Sequence, residues 1–158
     1  MKAAILTLNF IILPMIIHAQ STEYTQKKQK ALASDSPFTK IINRELPATI
    51  AYEDDDIIAF VPLRKQAPVH LLIVPKKPIP SINNIDESDH MLMGKMFLVA
   101  KLLADREGIA ETGYRLSLNN NEHAGQSVFH IHMHLLGGKF LGPMVTQDYK
   151  DDRKSGND

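Results

Sequence analysis

Apolar residues return at every second position in several short runs of this chain, and at every third or fourth in one long run. Ala48 to Glu53 and Ile57 to Val61 are β-like runs separated by Asp54-Asp55-Asp56, a pattern that predicts an antiparallel hairpin ended by Pro62. Val69 to Val74 (VHLLIV) is apolar except at His70 and is closed by Pro75, which predicts a third strand. Tyr114 to Leu118 and Val128 to Leu136 (VFHIHMHLL) supply the fourth and fifth, the last stopped by Gly137-Gly138. Between the third and fourth, Leu92, Met96, Val99 and Leu103 recur at helical spacing, with Met93, Phe97, Ala100 and Ala104 widening the stripe. That stripe predicts an amphipathic helix over Asp86 to Glu107, acidic at its start and stopped at Gly108. A short helix is predicted through Phe38, Ile41 and Ile42, with Ser36 as its cap and Pro37 in its first turn, before Asn43 to Pro47 breaks it. Paired strands with one long and one short helix predict an α+β domain over residues 36–138, built on a five-stranded, mainly antiparallel sheet.

The two ends read differently. Lys2 precedes a mostly apolar run from Ala3 to Ile17 that closes at His18-Ala19-Gln20. This is the layout of a secretory signal peptide over residues 1–19, and the expected destination is the periplasm or the cell exterior. The apolar run is short for a bilayer span, so no stable span is expected after processing. Gln20 to Asp35 is polar and basic and predicts a flexible leader, while residues 139–158 predict a mobile or partner-clasping tail.

Composition narrows the chemistry. A chain of 158 residues with 44% hydrophobic and 23% charged residues suits one ordinary domain. Its formal net charge is zero, which gives no footprint for a nucleic-acid partner but leaves room for a small charged ligand. The absence of cysteine removes disulfides, thiolate nucleophiles and cysteine-ligated zinc, leaving Ser, Thr, His, Lys or a carboxylate as nucleophile.

In a strand over Val128 to Leu136, His130, His132 and His134 share one face, while Phe129, Ile131, Met133 and Leu135 share the other. The apolar set is expected in the core, leaving three imidazoles in a row, about 7 Å apart at the usual strand rise. Such a row serves as half-exposed strand histidines, as a metal site with His70, or as a grip on an anion. The loop before it, Asn119 to Gln126 (NNNEHAGQ) followed by Ser127, favours phosphate. Backbone N–H groups around Gly125, with Gln126 and Ser127, offer neutral donors directly ahead of the histidines.

The stretch GQSVFHIHMHLLGG resembles the signature of the histidine-triad (HIT) family, and FTKIINRELPATIAYEDDDIIAF and QAPVHLLIVPKKPI are similar to its Hint-type branch, of protein kinase C-interacting-protein type. The resemblance runs from about Phe38 to Gly138. It implies a cofactor-independent nucleotide hydrolase, similar to purine nucleoside phosphoramidases, that binds no metal. In it His132 attacks the α-phosphorus of a nucleoside monophosphate-containing small molecule, forms a nucleotidyl-histidine and passes the nucleotide to water. By the same resemblance His130 and His70 shape and relay around that ring, and His134 and Ser127 contact phosphate and leaving group. Phe38, Ile41, Phe60 and Leu63 match the family's nucleoside pocket, with Asn119, Gly125 and Gln126 nearby. It also implies a homodimer. The chain departs from the family at Pro62, where an aspartate holds the ribose hydroxyls; losing such an acceptor costs about 1.5 to 3 kcal/mol. A non-catalytic nucleotide-binding protein of the same fold stays open, as does the metal reading.

Overall fold

The computed structural model describes residues 22–144, so the segment read as an export signal and the tail beyond Met144 lie outside the described residues. Five strands form one sheet: β1 (Ile50–Glu53), β2 (Ile57–Phe60), β3 (Val69–Pro75), β4 (Tyr114–Ser117) and β5 (Met133–Gly137), in the order β1-β2-β3-β5-β4 with every neighbouring pair antiparallel. Three helices accompany them: α1 (Thr22–Leu32), α2 (Pro37–Ile42) and α3 (His90–Arg106). The α+β architecture expected from the pattern is the one observed.

The hairpin between β1 and β2 closes on a side chain. Asp54 accepts the backbone N–H groups of Asp56 and Ile57, the Tyr52 hydroxyl and an ion pair from Lys95 of α3. Although burial works against its charge, these bonds hold its carboxyl well below the usual carboxylate range. The long helix is capped as its acidic start suggested, but through a tighter turn. Glu87–Asp89 is one turn of 3-10 helix closed by a capping box of Asp86 and Asp89, and the α-helix proper starts at His90.

Both faces of the central strands are buried. Ile57, Ala59, Leu71, Ile73, Met133 and Leu135 point to one side and pack with Met96, Val99, Ala100 and Leu103 of α3. Ile58, Phe60, Leu72 and Val74 point to the other, where Phe38 of α2 covers them and Ile41 and Ile42 are half-buried. Gly137 ends β5 where a Cβ would stand 2.6 Å from the tip of the Ile109 side chain, which would have to move to admit any larger residue.

Two expectations give way. Residues 22–32 of the supposed flexible leader form α1, which the buried Tyr24 docks against Phe129 in an edge-on ring contact at 5.7 Å. The fifth strand begins at Met133, not Val128, so the triad does not lie on a single strand. The ladder register pairs Ile73 with Met133, and continuing it would set Ile131 opposite Pro75. Pro75 has no N–H to give, and its carbonyl is already taken by the His130 ring. Ile131 instead donates its N–H to Ile79 O at 2.7 Å, outside the sheet.

Candidate active site

The histidines gather on the α2 side of the sheet. Leu72 pairs with His134 and His70 with Leu136, so His70 and His134 are diagonal neighbours on the face that carries Phe60. His130 and His132 precede β5 and reach the same region from irregular backbone, His130 almost fully buried and His132 buried. The open row of imidazoles expected from alternation is therefore a walled cluster. Phe38 stands edge-on to His132 at 4.9 Å between centroids and to Phe60 at 5.5 Å, and the His132 and His134 rings lie 5.1 Å apart.

Hydrogen-bond partners decide which ring nitrogen carries each proton. Gln66 donates its backbone N–H to His70 Nδ1 at 3.1 Å, so His70 holds its proton on Nε2 and donates it to His134 Nδ1 at 2.9 Å. His134 then carries its own proton on Nε2, a buried atom that meets no acceptor among the described residues. His132 Nδ1 lies 2.8 Å from the carbonyl of His130 and must donate to it, which leaves the Nε2 lone pair of His132 uncommitted. His130 Nε2 likewise donates to Pro75 O at 2.8 Å, so its Nδ1 accepts from the Ser36 hydroxyl at 3.1 Å.

All four rings are held neutral. Burial pushes His70, His130 and His132 below the ordinary imidazole value; the charge of Lys65 adds to this at His70 and the neighbouring His132 at His130. His134 is pushed furthest, to about 4, by burial and then by His132 and His70.

The remaining predicted residues divide. Gln126 is buried, but its side chain is committed to the loop: Nε2 donates to Pro80 O at 2.8 Å and Val128 O at 3.2 Å, and Oε1 accepts from Asn121 N–H at 2.9 Å. It shapes the Asn119–Ser127 turn and is not an available phosphate donor. Asn119, Gly125 and Ser127 are exposed on that turn, Gly125 in the left-handed region at φ +71°. Phe38 and Phe60 are buried beside the histidines with Ile41 half-buried against them, whereas Leu63 is 104% exposed on the loop after β2. Pro62 is half-buried at the start of that loop.

Sequence reasoning missed the backbone groups that set the tautomers, Gln66 N–H and the carbonyls of Pro75 and His130, for which no side-chain signal exists. It read Ser36 only as a helix cap. Among the described residues no three His, Asp or Glu side chains converge as a metal-holding group.

The HIT domain family model matches residues 43–141. The chain is 50% identical over 115 residues to a protein of Escherichia coli (strain K12) named purine nucleoside phosphoramidase, taking in 73% of this chain and 97% of that one. It is 40% identical over 126 residues to an Arabidopsis thaliana protein named adenylylsulfatase HINT1, taking in 75% of this chain and 85% of that one. Among solved structures, a HIT family hydrolase from Legionella pneumophila Philadelphia 1 superposes with a TM-score of 0.67 at 48% identity, covering 68% of this chain and 96% of that one.

Proposed function

The chain belongs to the histidine-triad family, and on that footing we propose that it hydrolyses nucleoside phosphates, at a phosphoramidate or related nucleotidyl linkage, through a covalent intermediate on His132. The observation that carries this reading is the fixed tautomer of His132: its Nδ1–H is tied to the His130 carbonyl, and Nε2 presents a lone pair beside Phe38 and His134. The Nε2 lone pair forms a bond to the α-phosphorus as the P–N or P–O bond breaks, and the leaving group departs with the electron pair and a proton taken from solvent. Water then attacks the same phosphorus and releases a proton to solvent, the P–Nε2 bond breaks back to the ring, and a nucleoside monophosphate leaves.

The His134 Nε2–H supports the same reading. A buried N–H without an acceptor costs the free protein about 1 to 3 kcal/mol, and a phosphoryl oxygen or leaving-group atom would satisfy it. Phe38 and Phe60 give the base an apolar wall. Replacing His132 by alanine is expected to lower turnover of an adenosine phosphoramidate by about a thousandfold or more. Rapid quench of the unaltered protein should reveal a nucleotidyl adduct by intact mass; turnover unchanged in His132→Ala would end this assignment.

We further propose that two copies pair through α3 and the free edge of β4. The helix exposes Met91 (73%), Phe97 (54%) and Leu98 (69%) on surface that the sheet does not cover, and β4 terminates the sheet.

A further inference from the structure

We propose that Ser36 is a positioning residue for the His132 ring, acting through His130 and Phe38. The proposal rests on the assignment of His132 as nucleophile and extends it to a residue outside the triad. Three observations converge on Ser36. Its Oγ accepts the Thr39 backbone N–H at 3.0 Å, which caps α2 and so fixes the helix that carries Phe38 against His132. The same oxygen lies 3.1 Å from His130 Nδ1. The opposite edge of that ring faces the Pro75 carbonyl at 2.8 Å, and a carbonyl only accepts.

Direction follows from this. A neutral His130 has one N–H, and Pro75 O claims it at Nε2; Nδ1 is therefore an acceptor and Ser36 must donate its only hydroxyl proton there. Thr39 Oγ1, 3.0 Å from Ser36 Oγ, then donates inward, and the chain of donors runs from Thr39 through Ser36 to His130 without conflict. The consequence reaches His132 because residues 128–132 lie outside any ladder, so the His130 carbonyl that receives His132 Nδ1–H is not held by sheet bonds of its own residue. What holds it is the Ile131 N–H bond to Ile79 O and the two-edged grip on the His130 ring. Ser36 supplies one edge of that grip, and through Phe38 it also sets the wall of the nucleophile ring.

Three substitutions separate this role from simple capping. Ser36→Thr keeps both the cap and the donor and is expected to retain wild-type kcat. Ser36→Ala loses both. Ser36→Asp keeps an acceptor for Thr39 N–H but has no proton to give, so α2 stays capped while His130 Nδ1 meets an acceptor. In Ser36→Asp, kcat is expected to fall about tenfold or more with KM changed far less, because the carboxylate reverses the Nδ1 bond and charges the His130 ring while α2 stays capped. Nitrogen-15 imidazole shifts, read without substrate, should show His130 protonated only at Nε2 in the unaltered protein and at Nδ1 as well in Ser36→Asp. Wild-type kcat in both Ser36→Ala and Ser36→Asp, or an Nδ1-protonated His130 in the unaltered protein, would overturn the proposal. Absence of turnover in the unaltered protein with the expected imidazole shifts would instead count against the nucleophile assignment, leaving the Ser36 contact standing.

Discussion

Pro62 stands two residues past Phe60, the last residue of β2, and its ring offers a ligand neither a donor nor an acceptor. The resemblance implies that proline there removes one handle on the sugar, and none of the hydrogen bonds that set the tautomers of His70, His134, His130 and His132 involves that position. Ribo- and 2′-deoxyribonucleoside phosphoramidates are therefore expected to be turned over with kcat/KM values within a few-fold of each other. Pro62→Asp should restore a preference for the ribo form of about tenfold or more, the equivalent of one hydrogen bond to a charged group. A strong ribose preference in the unaltered chain would show that another group holds the hydroxyls.

Among the elements, α1 lies before both α2 and residues 43–141 that match the family. One aromatic anchors it: Tyr24 is buried against Phe129, while Lys28 lies 5.8 Å over the same ring and donates to Asn121 Oδ1 at 3.1 Å. Tyr24→Ala should release the helix, raising amide exchange across residues 22–32 about tenfold or more while the sheet stays protected; unchanged exchange there would mean that other contacts dock it. A helix held by a single buried ring leaves almost no apolar period, which is why the segment read as a flexible leader. Where many residues share one face the sequence was legible: the stripe from Leu92 to Leu103, the hairpin at Asp54 and the cap at Ser36 all announced themselves. The early end of β5 was not, because it depends on Pro75 arriving opposite Ile131 from a distant part of the chain. The triad could be named from its spacing, but its burial and the direction of its hydrogen bonds come from Gln66, Pro75 and Ser36, none of which the alternation contains.

Taken whole, the molecule stores its histidines uncharged, and that has a cost in acid. His134 sits near 4 in the folded chain against an ordinary value of 6.5, through burial first and then the neighbouring His132 and His70. Between these values the unfolded chain binds more protons than the folded one, so this contribution to stability is complete above 6.5 and is lost as pH falls toward 4. Urea midpoints followed across that window should decline with pH, and His134→Asn should flatten the decline; an unaltered slope would place the acid sensitivity elsewhere. At the same scale, Leu98→Asp on the exposed side of α3 is expected to convert a dimer into a monomer in sedimentation, whereas a monomeric unaltered protein would dismiss the pairing.

The bond from His70 to His134 has one more consequence, which concerns where a proton can enter or leave the pair. His70 Nδ1 faces an amide N–H that can only give, so no proton can enter the pair from that side. The two rings form a wire with a sealed rear end. The pair therefore has one chemically open end, His134 Nε2, and any proton that it exchanges passes through that atom.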